Sequence, residues 1–438
     1  MDNFDNLIKI EKDTLTQIKK TSKFEAGIFL KNMEEEFTKL GFRTKNAGGQ
    51  QRILVLSCCD IGIGDFILFS PAIREIRANF PSAFITFVVN KKFYDLAKFC
   101  PYANEVIPFT AQFENKDITY ALKTAFDFAK EHFWNNYYDL SFCTNPQIMH
   151  VFLSYLSGAR ERIGYTHSPE KKDLAGFFLN RTVLFQMNVI HSVLRNLYVV
   201  RASGLAVNRT DIEIWYGKED FYNARKLLED FAPQRLKVVV GIGANVPERK
   251  YPVEKYLEAL KKIIEKGASI IIAGGPSEEK DSKFLQDNLP REFVKNLTPL
   301  KLNWRVTAAV ISQTDLYIGN DTGTAHCAAA VHIPAIVLTR ESEDFINKTR
   351  LCEYYAFYPW QTEVIRIPCK HALEGCEDRT CWAGKAHCIT QINPDEIVSA
   401  FEEMIYFRKV SKIKKTGVPS LISQNQSGLD IFARTDFY

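Results

Sequence analysis

Residues 53–66, I-L-V-L-S-C-C-D-I-G-I-G-D-F, are a short apolar run that leads into two glycines and an amphipathic stretch. A bounded apolar run of this length is typical of a buried strand, and the spacing at 66–79 predicts a helix after it. The same succession restarts at 237–243, K-V-V-V-G-I-G. Further strands are predicted at 84–89, 105–109, 138–143, 269–275, 316–320 and 335–338. Further helices are predicted at 91–99, 116–134, 191–203, 253–266, 276–287, 302–313, 322–331 and 395–408.

This alternation of strands and helices predicts an α/β fold with two doubly wound, mostly parallel sheets. The first sheet belongs to a domain at 51–215 and the second to a domain at 216–410. Apolar residues between 30 and 40 recur at helical spacing, so residues 1–50 are predicted to form a helical extension. That extension either packs on a domain edge or serves oligomerisation or acceptor docking. Residues 411–438 are predicted to be a polar tail.

Composition restricts the class of protein. The chain has 438 residues, of which 46% are hydrophobic and 25% charged. This balance is that of a globular protein and excludes a disordered or fibrous chain. The net charge of +4 (56 − 52) is too small to indicate nucleic-acid binding. No run of eighteen apolar residues occurs, and charges interrupt the N-terminal segment as they would not in a signal peptide. We therefore expect a cytoplasmic protein.

The glycine-bearing turns do not fit a dinucleotide-binding enzyme. Gly62 and Gly64 match the first two positions of the G-x-G-x-x-G fingerprint, but Ile67 occupies the third. Asn90 follows the next predicted strand, where a ribose-binding acid is expected. The turn at 241–246 lacks the third glycine as well. A nicotinamide- or flavin-dependent oxidoreductase is thereby disfavoured.

Ligands of open parallel sheets bind beyond the carboxyl ends of the strands, and two of these ends carry charged side chains. After the first strand, Asp65 stands at a predicted helix start, where it either caps the helix or acts as a base. After the strand at 237–243, Arg249 and Lys250 stand side by side. They are either a solvated surface pair or the cations that a pyrophosphate leaving group needs in the absence of a metal.

Two further strand ends carry polar residues. In G-G-P-S-E-E (274–279), Glu278 or Glu279 can accept hydrogen bonds from ribose hydroxyls, or can favour the positive end of a helix. The segment 319–330, G-N-D-T-G-T-A-H-C-A-A-A, runs from a strand into a small-residue helix. The backbone amides of Thr322, Gly323 and Thr324 at the start of this helix predict an anion site. Asp321 would accept hydrogen bonds from sugar hydroxyls. His326 is either a core histidine or a ligand contact.

Four ordered motifs together resemble one known family. They are G-D-F-I-L-F-S-P-A-I-R-E-I-R-A-N-F-P (64–81), S-G-A-R-E-R-I-G-Y (157–165), H-S-V-L-R-N-L-Y-V-V-R-A-S-G (191–204) and the segment 319–330. The chain resembles the family 9 glycosyltransferases, the ADP-heptose:lipopolysaccharide heptosyltransferases, from about 52 to 405. The resemblance implies a GT-B fold, in which two Rossmann-like domains face a central cleft that holds the active site.

The resemblance also implies a mechanism and a set of site residues. These enzymes are inverting transferases that need no cofactor for catalysis. By motif, Asp65 is the general base on the acceptor hydroxyl. The implied donor-binding residues are Gly64, Asn245, Arg249, Lys250, Glu278, Asp321, Thr322, Gly323, Thr324 and His326. The segment R-E-S-E-D-F (340–345) departs from the family, whose members usually carry a Gly-Pro-Thr turn there.

The implied function is transfer of a heptose or similar sugar from a nucleotide-diphosphate donor, ADP-heptose above all. The acceptor would be a lipopolysaccharide core, another surface glycan or a protein hydroxyl. Peripheral association with the inner membrane and homo-oligomerisation are expected partner properties, whereas nucleic-acid binding is not. The alternative is a non-catalytic sugar-nucleotide-binding or assembly protein on the same fold.

Cys369, Cys376, Cys381 and Cys388 form a cluster within twenty residues, without any C-x-x-C pair. Four soft ligands can hold zinc or iron tetrahedrally. The segment also resembles a cysteine-rich finger of the autotransporter heptosyltransferase branch, which binds iron and supports oligomerisation. The alternative is a set of four reduced thiols, and the sequence leaves both open.

Overall fold

The computed structural model describes residues 49–57, 62–110, 118–133, 136–144, 148–166, 174–184, 190–342, 356–371 and 385–415. The predicted N-terminal extension, apart from residues 49 and 50, and the tail beyond residue 415 lie outside these ranges. The chain divides into two compact units. The first unit is Met1–Met187 with Arg195–Arg209, and the second unit is Asn188–Leu194 with Thr210–Tyr438.

The first unit is built on a six-stranded parallel sheet. Its strands are β1 (Arg52–Ser57), β2 (Phe84–Asn90), β3 (Glu105–Phe109), β4 (Leu140–Cys143), β5 (Glu161–Thr166) and β6 (Arg181–Leu184). They are arranged in the order β3-β2-β1-β4-β5-β6, and every neighbouring pair is parallel. The central strand β1 is buried almost throughout because sheets of this kind are covered on both faces.

The helices of this part of the chain follow the strands. They are α1 (Ile63–Asn79), α2 (Tyr94–Ala97), α3 (Ile118–His132), α4 (Ile148–Leu156), α5 (Leu174–Phe178) and α6 (Ser192–Ala202), with a 3₁₀ turn at Lys91–Phe93. Helix α1 tolerates Pro71 in its interior. Pro71 has no amide hydrogen to donate to the carbonyl of Ile67, and the hydroxyl of Ser70 donates to that carbonyl instead, at 2.7 Å.

The second unit repeats the same sheet design. Its strands are β7 (Leu236–Gly241), β8 (Ala268–Ala273), β9 (Val294–Asn296), β10 (Leu316–Asn320), β11 (Ala335–Thr339) and β12 (Val364–Pro368). They are arranged in the order β12-β11-β10-β7-β8-β9, again with all neighbouring pairs parallel. Counted from its own first strand, each sheet therefore has the order 3-2-1-4-5-6 of a doubly wound fold.

The helices of the second unit also alternate with its strands. They are α7 (Lys218–Leu228), α8 (Val253–Glu265), α9 (Glu279–Asn288), α10 (Trp304–Ile311), α11 (Gly323–Ala330) and α12 (Pro394–Lys415). Short 3₁₀ turns lie at Pro247–Arg249, Pro276–Glu278, Arg291–Phe293, Thr298–Leu300 and Cys388–Gln391. Aliphatic side chains from β7, β8 and β10 pack against α8 and α12 to form the core of this unit.

The predicted fold class is confirmed, and the differences concern individual elements. Strands β5, β6, β9 and β12 were not predicted, because β9 has three residues and the others carry charged residues at positions where a buried strand is apolar. The helix predicted at 91–99 is a 3₁₀ turn followed by one turn of α-helix. Helix α12 continues to Lys415, five residues into the segment predicted as a tail. None of the helices described is long and apolar enough to cross a membrane.

The strand order fixes where each unit can hold a ligand. In the first unit the chain leaves β1 toward β2 on one side, and β4 lies on the other side. In the second unit β7 and β10 have the same relation. At such a switch point the connecting loops diverge and leave a crevice at the carboxyl ends of the strands. The strand order therefore predicts ligand-binding positions after β1, β7 and β10.

Candidate active site

Asp65 lies in the first turn of α1, after the carboxyl end of β1. The N-cap of this helix is Gly62, which has extended backbone angles, and Asp65 is the third residue of the helix. The interpretation of Asp65 as the N-cap is therefore wrong. The side chain is half-buried, at the helix end where the peptide dipoles favour a negative charge. This position keeps a carboxylate at the switch point of the first sheet.

A buried arginine of the same unit, Arg195, faces Asp65 from α6. The side-chain amide of Asn196 donates to the carbonyl of Leu68 at 3.2 Å, which ties α6 to the face of α1 that carries Asp65. Burial lowers the pKa of the Arg195 guanidinium, and its interactions with Tyr165 and with the Asp65 carboxylate act in the opposite direction. The sequence analysis missed Arg195, although a basic residue between apolar positions of a predicted helix was a usable signal.

In the second unit Asn320, the last residue of β10, forms hydrogen bonds to the turn after β7. Its side chain is fully buried, and its amide donates to the carbonyls of Ile242 and Gly243 at 3.2 and 3.1 Å. Its amide oxygen accepts from the hydroxyl of Tyr256 at 3.2 Å. Asn320 thus joins the two strands at the switch point. The sequence analysis did not single it out, because its role depends on contacts with residues that are distant in the chain.

Glu278 is the acid after β8 that faces inward, whereas Glu279 is exposed. Glu278 is 5% exposed, and its carboxylate accepts from the amide of Gly275 at 2.9 Å and from the hydroxyl of Ser277 at 2.7 Å. A Cβ atom on Gly243 would lie 3.1 Å from one of its oxygens. Glu278 therefore caps the local 3₁₀ turn and also borders the glycine turn after β7.

The two adjacent cations after β7 have different surroundings. The Lys250 ammonium lies 2.8 Å from the carboxylate of Asp281 and 3.9 Å from that of Glu278. Arg249 instead lies near α11, where its charge contributes to lowering the pKa of His326. The sequence left the two residues equivalent, and the fold separates them.

The turn between β10 and α11 combines an acid with a helix start. Asp321 is buried, and its amide donates to the carbonyl of Leu338 at 3.2 Å. Thr322 is the N-cap of α11 and has an extended backbone, and no side-chain cap hydrogen bond is formed there. Gly323 and Thr324 are the first residues of the helix. The first amides of a helix have no intrahelical acceptor, so this turn can receive an anion.

His326 is buried in α11, and its Nδ1 atom has no hydrogen-bond partner within the described part of the chain. Burial lowers its pKa to about 4, and the nearby charge of Arg249 acts in the same direction. The imidazole is therefore neutral at physiological pH. His326 is therefore a buried, neutral side chain of α11, and its interpretation as a ligand contact stays a prediction.

We expect the free energy of unfolding to fall as pH drops below about 6.5, the ordinary pKa of histidine. The folded state resists protonation of His326 down to about pH 4, whereas the unfolded chain takes up that proton near 6.5. The contribution of neutral His326 to the free energy of unfolding is therefore fully present above about pH 6.5. Between about pH 6.5 and pH 4 it decreases by about 1.4 kcal/mol per pH unit as the pH falls. Urea denaturation between pH 4.5 and 7.5 should give a shallower slope for His326→Gln; equal slopes would contradict the prediction.

The remaining predicted donor-binding residues are distributed unevenly. Gly64 is buried in α1 and belongs to the first unit, whereas the other nine residues belong to the second. Asn245 is exposed in the turn after β7. Thr298, after β9, was not singled out either; it is buried next to Gly274, and its hydroxyl has no partner among the described residues. A threonine in an ordinary loop gives no sequence signal of this kind.

The cysteine cluster is described only at its two ends. Cys369 is buried, and its thiol donates to the carbonyl of Arg340 at 2.8 Å. Cys388 is also buried, with its Sγ atom 3.6 Å from Nδ1 of His387. Cys376 and Cys381 lie outside the described residues. Within the described ranges no group of three or more His, Cys, Asp or Glu residues is arranged to hold a metal ion, so the zinc or iron site stays a prediction.

Two parallel sheets of order 3-2-1-4-5-6 in one chain, with polar turns at their switch points, define a protein of the GT-B class. The family model for Glycosyltransferase family 9 (heptosyltransferase) matches residues 129–368, more than half of the chain. The chain belongs to this family and is a glycosyltransferase. The match contains the turns after β7, β8 and β10, and it begins after Asp65.

Individual relatives are distant in sequence but similar over most of their length. Lipopolysaccharide heptosyltransferase 3 of Escherichia coli K12 is 24% identical over 316 residues, which cover 71% of this chain and 89% of the relative. A solved family 9 glycosyltransferase of Veillonella parvula aligns with a TM-score of 0.67 and 17% identity, over 83% of this chain and 99% of its own. The Escherichia coli ADP-heptose lipopolysaccharide heptosyltransferase II aligns with a TM-score of 0.60 and 16% identity, over 82% and 100%.

Proposed function

We propose that this glycosyltransferase moves a heptose from a nucleoside-diphosphate donor, ADP-heptose, to a hydroxyl group of a lipopolysaccharide core. The observation that carries the proposal is the turn at Asp321–Thr324, where a buried acid stands directly before the first amides of α11. Arg249 lies near the same helix, which also carries the buried His326. A diphosphate joined to a sugar has the matching chemistry, because it is an anion flanked by hydroxyl groups.

The second unit would hold the donor. The amides at the start of α11 and the Arg249 guanidinium receive the diphosphate. Glu278 keeps accepting capacity for a ribose hydroxyl, since each carboxylate oxygen has more than one acceptor site and two are used internally. Asp321 accepts from a sugar hydroxyl. With an arginine and helix amides available to stabilise the leaving group, the transfer step needs no divalent cation for that purpose.

The first unit would supply the base. The acceptor oxygen attacks the anomeric carbon of the donor sugar, its proton passes to the Asp65 carboxylate, and the bond from that carbon to the diphosphate oxygen breaks. The nucleoside diphosphate leaves with the electron pair of the broken bond. A single displacement of this kind inverts the anomeric carbon. The Asp65 carboxylate interacts electrostatically with the buried Arg195 guanidinium of the same unit.

The names of the relatives support the proposed acceptor. Proteins named as lipopolysaccharide heptosyltransferases match 71% and 65% of this chain, so we extend a lipopolysaccharide acceptor to it, and peripheral association with the inner membrane stays a prediction. The alternative, a non-catalytic sugar-nucleotide-binding protein on the same fold, differs in one testable respect, because it would bind the donor without turning it over.

Calorimetry against ADP, UDP and GDP, followed by a transfer assay with ADP-heptose, tests this proposal. We expect ADP to bind at least about tenfold more tightly than UDP or GDP, a difference of about 1.4 kcal/mol, because the name of the solved relative heptosyltransferase II specifies an ADP-heptose donor. Release of ADP should depend on a heptose-accepting lipopolysaccharide core. Tight ADP binding without turnover would support the binding-protein alternative, and equal affinity for the three nucleotides would contradict the ADP-heptose assignment.

A further inference from the structure

One buried tyrosine lies next to the anion-binding turn without reaching solvent. Tyr317 is on β10, two residues before Gly319, and its side chain is fully buried. Side chains two residues apart on a strand point to the same face, so the phenol passes over Gly319. Gly319 pairs with Gly241 of β7. A Cβ atom on either glycine would collide with the phenol oxygen, so the paired glycines provide the room that this side chain occupies.

The phenol begins a chain of three hydroxyl groups. The Tyr317 hydroxyl oxygen lies 2.9 Å from Oγ1 of Thr324. Oγ1 of Thr324 in turn lies 3.1 Å from Oγ1 of Thr322. Thr322 is half-buried and precedes the helix, so the chain leads from the core of the unit to the surface of the turn.

The chemistry of the three hydroxyl groups indicates which oxygen is the donor in each of their hydrogen bonds. Burial raises the pKa of Tyr317 to about 12, despite the two threonine hydroxyls that lower it, so the phenol keeps its proton at physiological pH. The oxygen positions allow either atom of each pair to be the donor. Because a phenol is a stronger hydrogen-bond donor than an alcohol, we assign the donor role to Tyr317 toward Thr324, and Thr324 then donates to Thr322. The proton of Thr322 is left for the carbonyl of Asn320, at 3.4 Å near the outer limit of a hydrogen bond, or for a ligand.

We propose that Tyr317 is a positioning residue that turns the Thr322 hydroxyl outward as a donor to the diphosphate of the sugar nucleotide. This inference rests on the proposed function, because it assigns a diphosphate to the turn at the start of α11. Each hydrogen bond in such a chain polarises the next, so the last donor is stronger than an isolated threonine hydroxyl. An anionic phosphate oxygen is also a better acceptor for the Thr322 hydroxyl than the carbonyl of Asn320 at 3.4 Å.

The test compares the wild type and Tyr317→Phe in their affinities for ADP and for adenosine. Calorimetry measures ADP binding directly and adenosine binding by its competition with ADP. Loss of one oriented hydrogen bond should weaken ADP binding about 3- to 10-fold. Adenosine, which lacks the diphosphate, should bind as it does to the wild type. In turnover, the KM for the donor should rise by a similar factor while kcat changes less than about twofold.

Two further variants separate positioning from general destabilisation. Thr322→Val removes the last donor of the chain, so adding Tyr317→Phe to it should have no further effect on ADP affinity. Tyr251→Phe is the matched control, since this buried phenol belongs to the same unit and its hydroxyl donates to the carbonyl of Ile392 at 2.9 Å. It should leave ADP affinity unchanged.

Each result has a distinct meaning. Unchanged ADP affinity in Tyr317→Phe, an equal loss for adenosine, or an additive loss in the Thr322→Val background would each overturn the role of Tyr317 and leave the proposed function standing. If wild-type protein binds UDP or GDP best, that nucleotide and its nucleoside replace ADP and adenosine. If it binds none of the three, the proposed function fails and this inference fails with it.

Discussion

Asp65→Asn is expected to lower kcat for glycosyl transfer by about 10²–10⁴-fold, because an amide cannot take the proton of the acceptor hydroxyl. Affinity for the nucleoside diphosphate should change little, since the residues assigned to the diphosphate belong to the second unit. The variant is isosteric with the wild type, so the half-buried position is not repacked. Donor binding by calorimetry and transfer by ADP release measure the two quantities separately.

Asp65→Asn needs a stability control, because the carboxylate faces the buried Arg195. Removing one partner of a charge pair leaves the other without compensation and lowers stability. Thermal unfolding of the variant should show this loss while the chain stays folded at assay temperature. Asp95→Asn is the matched variant, since it removes an exposed first-turn carboxylate from α2 of the same unit. It should retain wild-type transfer, and comparable transfer rates in the two variants would refute the assignment of the base.

Arg249→Gln is expected to weaken ADP binding by about 10- to 100-fold, as befits the loss of charged hydrogen bonds to a phosphate. Lys250→Gln should weaken it by less than about threefold. The reason is the difference in their surroundings: the Lys250 ammonium already contacts Asp281 and Glu278, whereas Arg249 lies near the start of α11. Calorimetry on both variants at one ionic strength gives the comparison.

Arg249→Lys provides the control for charge. A lysine keeps the positive charge but cannot form the paired, planar hydrogen bonds of a guanidinium. Its ADP affinity should lie between those of the wild type and Arg249→Gln. If Lys250→Gln lost as much affinity for ADP as Arg249→Gln, Lys250 would contact the diphosphate despite its ion pair with Asp281. The assignment of the diphosphate to Arg249 rather than Lys250 would then be wrong.

The sheet order is the part of the fold that periodicity could not provide. Apolar runs located β1, β2, β3, β7, β8, β10 and β11, because a parallel strand covered on both faces is apolar throughout. Strands β6 and β12 have mixed, half-exposed residues, which resemble loops when only the sequence is known. Which strands are neighbours depends on long-range pairing, and this pairing creates the switch points at which the site residues meet.

The sequence by itself determined the α/β class, the family, and the residue types at each strand end, since these follow from local hydrophobic pattern and short motifs. Only the tertiary structure distinguished Arg249 from Lys250 and showed why Glu278, rather than Glu279, faces inward. Only it revealed the contacts of Arg195, Asn320, Thr298 and Tyr317. Each of these distinctions depends on burial, charge or hydrogen bonding by residues that are often far away in the chain. Contacts of this kind arise when the sheet is assembled, so the local pattern of the chain does not contain them.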